Sequence, residues 1–275
     1  MKKYLICSDI DGTLLDANHT VPVATKELFK TLLDAGHLIY LATGRMYRSG
    51  QEIALTIDPR VQTIASNGSI YFLEDKLIQQ TLPVEAVEQV YQIAEEFKLP
   101  LYFFSAQTVY YSAILPQYFT DKSDQDRIGN ERENPFISIA KSADFQETKS
   151  NYLNGIFISE DPDLDLTHIK EKLRKIEGLS ISSSHSNNIE IVAAGISKKT
   201  AILDIQNAYT IEKAQTICFG DGENDLEMFE IADTSVAMEN ASQLVQSKAN
   251  FITSSNHENG LLAFLVNFLK KEGIL

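Results

Sequence analysis

Short, largely apolar runs that each end in a cluster of small polar, acidic or glycine residues constrain this chain most. Tyr4-Leu5-Ile6-Cys7 runs into Asp9-Ile10-Asp11-Gly12-Thr13, and His37 to Ala42 runs into Thr43-Gly44-Arg45. Val61 to Ala65 runs into Ser66-Asn67-Gly68-Ser69, and Ala214 to Phe219 into Gly220-Asp221-Gly222-Glu223-Asn224-Asp225. A short run without polar alternation suits a parallel strand buried on both faces. The first two are separated by a helical pattern, with Leu28, Phe29, Leu32 and Leu33 on one face and Gly36 at the expected C-terminal position. Strand, loop and helix in this order predict an α/β fold with a Rossmann-like parallel-sheet core, whose ligands gather at the strand C-termini.

The middle of the chain differs. Val84 to Phe97 reads as an amphipathic helix, and Leu99 to Tyr111 is dense in aromatic strand formers. A charged stretch from Asp121 to Asn134 reads as loop, and Asn154 to Ser183 reads as strand, helix, strand. An inserted α+β domain is therefore expected over 83–189, with the core formed by 1–82 and 190–275 and resumed at the strand-like Ile189-Glu190-Ile191-Val192. A helix through Ala208, a strand near Thr234 to Met238 and a helix from Gly260 to Lys270 complete the core.

Composition narrows the partners. A formal charge of −14 over 275 residues, with no basic stripe, argues against a nucleic-acid surface. The apolar run after Lys2-Lys3 stops at Asp9, too short for a signal peptide, and no segment reaches the length of a membrane span. Cys7 and Cys218 read as small buried hydrophobes in a reducing compartment. A cytoplasmic protein, monomeric or weakly self-associating, is expected.

Paired acids at the end of a buried strand need a cation or several hydrogen bonds to offset their desolvation. Asp9 and Asp221 are the natural carboxylate ligands for a small hard cation such as Mg²⁺, completed by water and substrate phosphate. Asp9 is also placed to attack phosphorus and form an aspartyl-phosphate. Asp11, two residues along an extended backbone and so on the same side, would then serve the leaving group as acid and water as base. Phosphoryl transfer needs fixed donors around the transferring oxygens. The Thr43 hydroxyl, the N–H groups of Gly44 and Ile10 and the Lys198 ammonium qualify. Taken singly, each cluster has a plainer reading, such as a turn for Asp-x-Asp-Gly or a solvated helix start for Lys198. Their order along one chain is what joins them.

In this order, Asp9-Ile10-Asp11-Gly12-Thr13-Leu14-Leu15, Thr43-Gly44-Arg45, Gly195-Ile196-Ser197-Lys198 and Gly220-Asp221-Gly222-Glu223-Asn224-Asp225 resemble the four motifs of the haloacid dehalogenase-like hydrolase superfamily. Asn67-Gly68 and Ala237-Met238-Glu239-Asn240-Ala241 bring the chain closer to its Cof-type sugar-phosphate phosphatase branch. The resemblance implies an Mg²⁺-dependent phosphatase of small phosphorylated metabolites, with Asp9 as nucleophile and metal ligand. It implies that Asp11 is the acid/base and binds metal through its backbone carbonyl, that Asp221 is a ligand, and that Asp225 supports the metal shell. Thr43, Gly44, Lys198 and Asn224 would hold phosphate, and the insert would be a C2-type cap. Lys199 stands where the family usually has glycine, which leaves open which lysine enters the site. Arg45, Asn67, or a cap loop carrying His185 are candidate substrate contacts. A phosphomutase of the same chemistry, a regulatory phospho-acceptor and a metabolite-binding protein are the alternatives. Multiple-turnover phosphate release separates the phosphatase from all three.

Overall fold

A computed structural model describes residues 3–113, 136–161, 164–183 and 187–274. The expected loop over 121–134 and His185 lie outside the described residues. The chain divides into two compact units, one of Met1–Arg45, Gly50–Leu77 and Ser197–Leu275, the other of Met46–Ser49 and Ile78–Ile196.

The first unit is built on an eight-stranded sheet. Its strands are β1 (Leu5–Ser8), β2 (Leu38–Ala42), β3 (Gln62–Ala65), β4 (Ile70–Leu73) and β5 (Lys76–Gln79), then, after the second unit's strands, β12 (Thr216–Gly220), β13 (Thr234–Met238) and β14 (Phe251–Thr253). The spatial order is β14-β13-β12-β1-β2-β3-β4-β5. Neighbours from β14 through β3 run parallel, while β4 turns back antiparallel to β3. Chain order reverses at β1, which lies between β2 and β12. That is the switch point at which open α/β sheets leave a crevice beyond their strand ends. β1, β12 and β13 are buried along their whole length, as non-alternating sequences require.

Helices α1 (Val23–Asp34), α2 (Tyr47–Ile57), α6 (Lys198–Tyr209), α7 (Leu226–Phe229), α8 (Gln243–Lys248) and α9 (Gly260–Lys271) flank the sheet strands in the chain. One face of α1 buries Leu28, Phe29, Leu32 and Leu33, and α9 buries Leu261, Leu265 and Leu269 in the same core cluster as Ile6, Leu41 and Phe219. The sequence reading names no strand between Ser66-Asn67-Gly68-Ser69 and the insert, where the structure has the pair β4 and β5. Its turn forces Glu74 and Asp75 to φ of 46° and 65°, without the glycine that would mark it.

The second unit has its own six-stranded sheet in the order β10-β11-β9-β6-β7-β8. Its strands are β6 (Leu101–Phe104), β7 (Val109–Tyr111), β8 (Phe136–Ser138), β9 (Asn154–Ile158), β10 (Leu179–Ser182) and β11 (Asn188–Ala193), and its helices are α3 (Val84–Phe97), α4 (Ser142–Thr148) and α5 (Thr167–Leu173). The expectation that the core resumes at Ile189 is corrected here. β11 pairs antiparallel with both β10 and β9, with Ile191 opposite Ile181 and Gly155. Ile189, Ile191 and Ala193 are buried while Glu190 and Val192 are only partly so. That alternation belongs to an antiparallel sheet with one packed face. On this face Phe103 stacks on Tyr152 with ring centroids 4.3 Å apart, inside a cluster with Val87, Leu101, Phe157, Ile169 and Leu173. Among the described residues, no helix is long and apolar enough to cross a membrane.

Candidate active site

Asp9 directly follows β1, and its N–H continues the parallel ladder to Phe219 O at 3.0 Å. The chain then turns tightly over Ile10–Leu14, closed by the Leu15 N–H on Ile10 O at 3.1 Å. Gly12 makes this turn possible. Its φ is +74°, and a Cβ there would lie 2.2 Å from Asp221 Oδ2, so both the backbone angle and the close approach demand glycine. Ile10 packs its side chain into the core, which leaves its backbone as its contribution to the site.

Lys198 is the first residue of α6, whose N-cap Ser197 exchanges hydrogen bonds with Thr200 in a capping box. A lysine at a helix N-terminus opposes the helix dipole. Its position is explained by its partners: the Lys198 ammonium donates to Asp9 Oδ1 and to Asp225 Oδ1, each at 2.6 Å. All three residues are buried, Lys198 at 1% exposure. Lys199 points elsewhere, to Glu230. The lysine left open by the sequence is thus resolved.

The other oxygen of Asp225 accepts the N–H groups of Asp221 and Gly222, both at 3.0 Å. Asp225 therefore shapes the loop after β12 and fixes Lys198. Asp221 emerges from that loop toward the β1 turn, where Thr13 Oγ1 donates to its Oδ1 at 2.8 Å. Asp9, Asp221 and Asp225 each present an oxygen within 4.8 Å of the others. Asp11 is not in this group. Its carboxylate, half exposed, receives Nε and Nη2 of Arg45 at 2.7 and 2.6 Å.

Burial dominates the electrostatics. It pushes the Asp9 carboxyl well above the ordinary aspartate range, where Lys198 pulls it down but Asp225, Asp221 and Asp11 add to the rise. Burial likewise raises Asp221 to about 6, with Asp225 and Asp11 reinforcing it against the Thr13 hydrogen bond and Lys198. For Lys198 burial works against the charge, but Asp225 and Asp9 outweigh it and hold the proton more firmly than in free lysine. Four aspartates, Asp9, Asp11, Asp221 and Asp225, thus meet two cations, Lys198 and Arg45. The deficit of two positive charges and the all-oxygen donor set fit a small divalent ion such as Mg²⁺.

The turns after β2 and β3 form the other side. Thr43 is buried, its N–H on Ile64 O at 2.8 Å and its hydroxyl accepting the Arg45 N–H at 3.1 Å. Gly44 is exposed beside it, and a Cβ there would stand 3.2 Å from Asn67 Oδ1. Ser66, Asn67 and Gly68 have φ of 48°, 54° and 102° in succession, a strained stretch of the kind that concentrates at functional sites. Its contacts reach the three neighbouring motifs. Ser66 N–H donates to Arg45 O at 2.9 Å and Asn67 N–H to Thr43 O at 3.0 Å. Asn224 Nδ2 donates to Asn67 Oδ1 at 3.1 Å, and a Cβ on Gly68 would strike Ser197 O, the residue before Lys198, at 2.2 Å.

The structure thus brings Asp9, Asp221, Asp225 and Lys198 into one buried cluster, and Thr43, Gly44, Asn67 and Asn224 into an adjoining set of turns. Arg45, read from sequence as a leaving-group contact, lies on Asp11. Thr13 was passed over, although it stands inside the first motif. Its hydroxyl acts on a residue 208 positions away, which no local pattern encodes.

The pattern of haloacid dehalogenase-like hydrolases matches this chain over residues 6–265. The chain belongs to that family. Relatives of this hydrolase include the Bacillus subtilis protein YitU, named 5-amino-6-(5-phospho-D-ribitylamino)uracil phosphatase, 27% identical over 97% of this chain and 98% of its own. Among solved structures, the phosphatase BT1666 from Bacteroides thetaiotaomicron superposes with a TM-score of 0.79 at 25% identity, covering 100% of this chain and 96% of its own. BT4131, described as a subclass IIB sugar phosphatase of the superfamily, shares the fold at 23% identity and a TM-score of 0.79, covering 99% and 100%. By family and by its full-length relatives, this hydrolase is an enzyme of the phosphatase type.

Proposed function

We propose that the chain is an Mg²⁺-dependent phosphatase that hydrolyses small phosphorylated metabolites, with sugar phosphates as the leading class, through an aspartyl-phosphate on Asp9. The observation that carries this reading is the buried Asp9 carboxylate, hydrogen-bonded to Lys198 beside Asp221 in a cluster short of positive charge. The names of YitU and BT4131, a phosphoribityl compound and sugar phosphates, support the substrate class.

Asp9 and Asp221 would hold Mg²⁺, with the backbone carbonyl of Asp11 as a third ligand and Asp225 supporting the shell. Bound there, the ion would neutralise charge on the phosphoryl oxygens and let both carboxylates stay ionised. An Asp9 oxygen attacks phosphorus as the bond to the ester oxygen breaks, and that oxygen takes its proton from Asp11. Water then attacks the same phosphorus and gives a proton to Asp11, and the bond to Asp9 breaks to release phosphate. Lys198, the Thr43 hydroxyl, the Gly44 and Ile10 N–H groups and Asn224 supply donors to the phosphoryl oxygens. Asp11 must leave Arg45 to reach the leaving group, so Arg45 holds the acid/base in the resting enzyme. We read the second unit as the C2-type cap of the family, and the buried free cysteines Cys7 and Cys218 support a reducing, cytoplasmic setting.

A panel of phosphorylated sugars, nucleotides and cofactors, scored for multiple-turnover phosphate release with and without EDTA, tests this reading. Release that depends on Mg²⁺ and vanishes in Asp9→Asn is expected. A single stoichiometric phosphorylation without turnover, or an isomerised product without free phosphate, would overturn it.

A further inference from the structure

Asp221 is held from outside its own loop at both carboxylate oxygens. Thr13 Oγ1 donates to Oδ1, and Asn240 Nδ2 stands 3.5 Å from Oδ2. The same Asn240 nitrogen donates to Gly12 O at 2.9 Å, which is the residue packed against Asp221 for want of a Cβ. Asn240 Oδ1 accepts the N–H of Asn256 at 3.2 Å, and Asn256 Nδ2 donates to Leu15 O at 2.8 Å. Asn240 stands two residues beyond the end of β13, and Asn256 opens the short turn Asn256–Glu258 ahead of α9. The orientation of the Asn240 amide is set by chemistry. Turned over, it would face its oxygen to a carbonyl and a carboxylate and its nitrogen to an N–H.

We propose that Asn240 and Asn256 are positioning residues of the metal site, a two-amide strut that pins the Gly12 and Leu15 carbonyls and fixes the carboxylate of Asp221. The proposal rests on the reading of Asp221 as a metal ligand. Asparagines in loops commonly satisfy turns within a few residues of themselves. Here the partners are 228 and 241 positions away, and both lie on the turn that carries Asp11 and Thr13. A carboxylate already held by hydrogen bonds loses less freedom when an ion binds, which is why partners behind a ligand change metal affinity by about 10–100-fold. Asn240 is exposed and Asn256 is buried, so the strut is anchored inside the protein and ends at the open side of the cluster.

The probe is Mn²⁺, titrated into the full-length protein without substrate, with the free ion read by electron paramagnetic resonance. Asn240→Ala is expected to weaken Mn²⁺ binding about tenfold or more. Asn256→Ala should weaken it less, and the double variant should lose less than the product of the two single effects, because the two amides act as one chain. Ser242→Ala is the control for a general loss of stability. It removes the N-cap of α8, where Ser242 Oγ accepts the Val245 N–H, and should leave Mn²⁺ affinity unchanged. Wild-type affinity in Asn240→Ala, or equal weakening in Asn240→Ala and Ser242→Ala, would overturn the proposal. A wild-type protein that takes up no Mn²⁺ would overturn the metal reading of Asp221 itself.

Discussion

The two sheets of this molecule use their buried space in opposite ways. In the first, the loops after β1 and β12 carry Asp9 and Asp225, which are buried together with Lys198 at the start of α6. In the second, the core cluster is aromatic and aliphatic, and the packed face is finished by ring stacking of Phe103 on Tyr152. Burying apolar surface lowers the free energy of the folded state, whereas burying several like charges raises it unless a cation intervenes. The first unit therefore carries a strain that a ligand can relieve. Among the described residues of the second unit, the core cluster is apolar and holds no carboxylate.

The strongest break of this comparison is Asp9→Asn. It should lower turnover by about 10⁵-fold or more and leave the melting temperature in EDTA unchanged or higher, because it removes a buried charge. A phosphate-release assay beside thermal denaturation checks both. Lys198→Ala should be costly in both respects. It strands two buried carboxylates without their cation, for about 3–5 kcal/mol of stability, measured by urea unfolding in EDTA, along with loss of turnover. Phe103→Ala should match that stability cost, at about 3–5 kcal/mol, yet leave Mn²⁺ affinity as in the wild type. A shift in metal affinity there would show the two units to be coupled.

A smaller effect comes from pH. With metal chelated, the folded-state value of Asp221 near 6 exceeds the ordinary aspartate value of 3.8, so the folded form holds its proton more tightly than the unfolded form does. The resulting penalty is absent below pH 3.8 and grows as pH rises to about 6. Wild type should accordingly lose stability relative to Asp221→Asn across that window, and Mg²⁺ should remove the difference. Urea midpoints at several pH values in EDTA, then in Mg²⁺, measure it. The smallest effect belongs to Lys199→Ala. Its pair with Glu230 is solvent-exposed, so the change should cost less than about 1 kcal/mol and leave turnover intact. A large loss of activity would reverse the assignment of the two lysines.

Much of the first unit was legible in the sequence because a parallel strand buried on both faces must be apolar throughout and must end abruptly where ligands bind. The same logic exposed Asp9, Asp11 and Asp221, since charges after such strands need partners. The strand at Ile189 misled for a related reason. Its apolar content matched the core strands, and only its alternation, Glu190 between two buried isoleucines, marked the antiparallel sheet. The β4–β5 hairpin was missed because its turn is made by Glu74 and Asp75 rather than by glycine.

By itself, the sequence determined which residue types stand at the ends of the core strands, and hence the chemistry available there. Tertiary structure alone decided how those residues divide the work. Lys198 rather than Lys199 meets Asp9, Arg45 takes Asp11, and Asn240 reaches back across 228 positions to Gly12. The physical reason is one of range. Strand burial and helix periodicity act between near neighbours and leave a repeating mark in the chain, whereas a hydrogen bond or ion pair between distant loops depends on a meeting that only the folded sheet arranges.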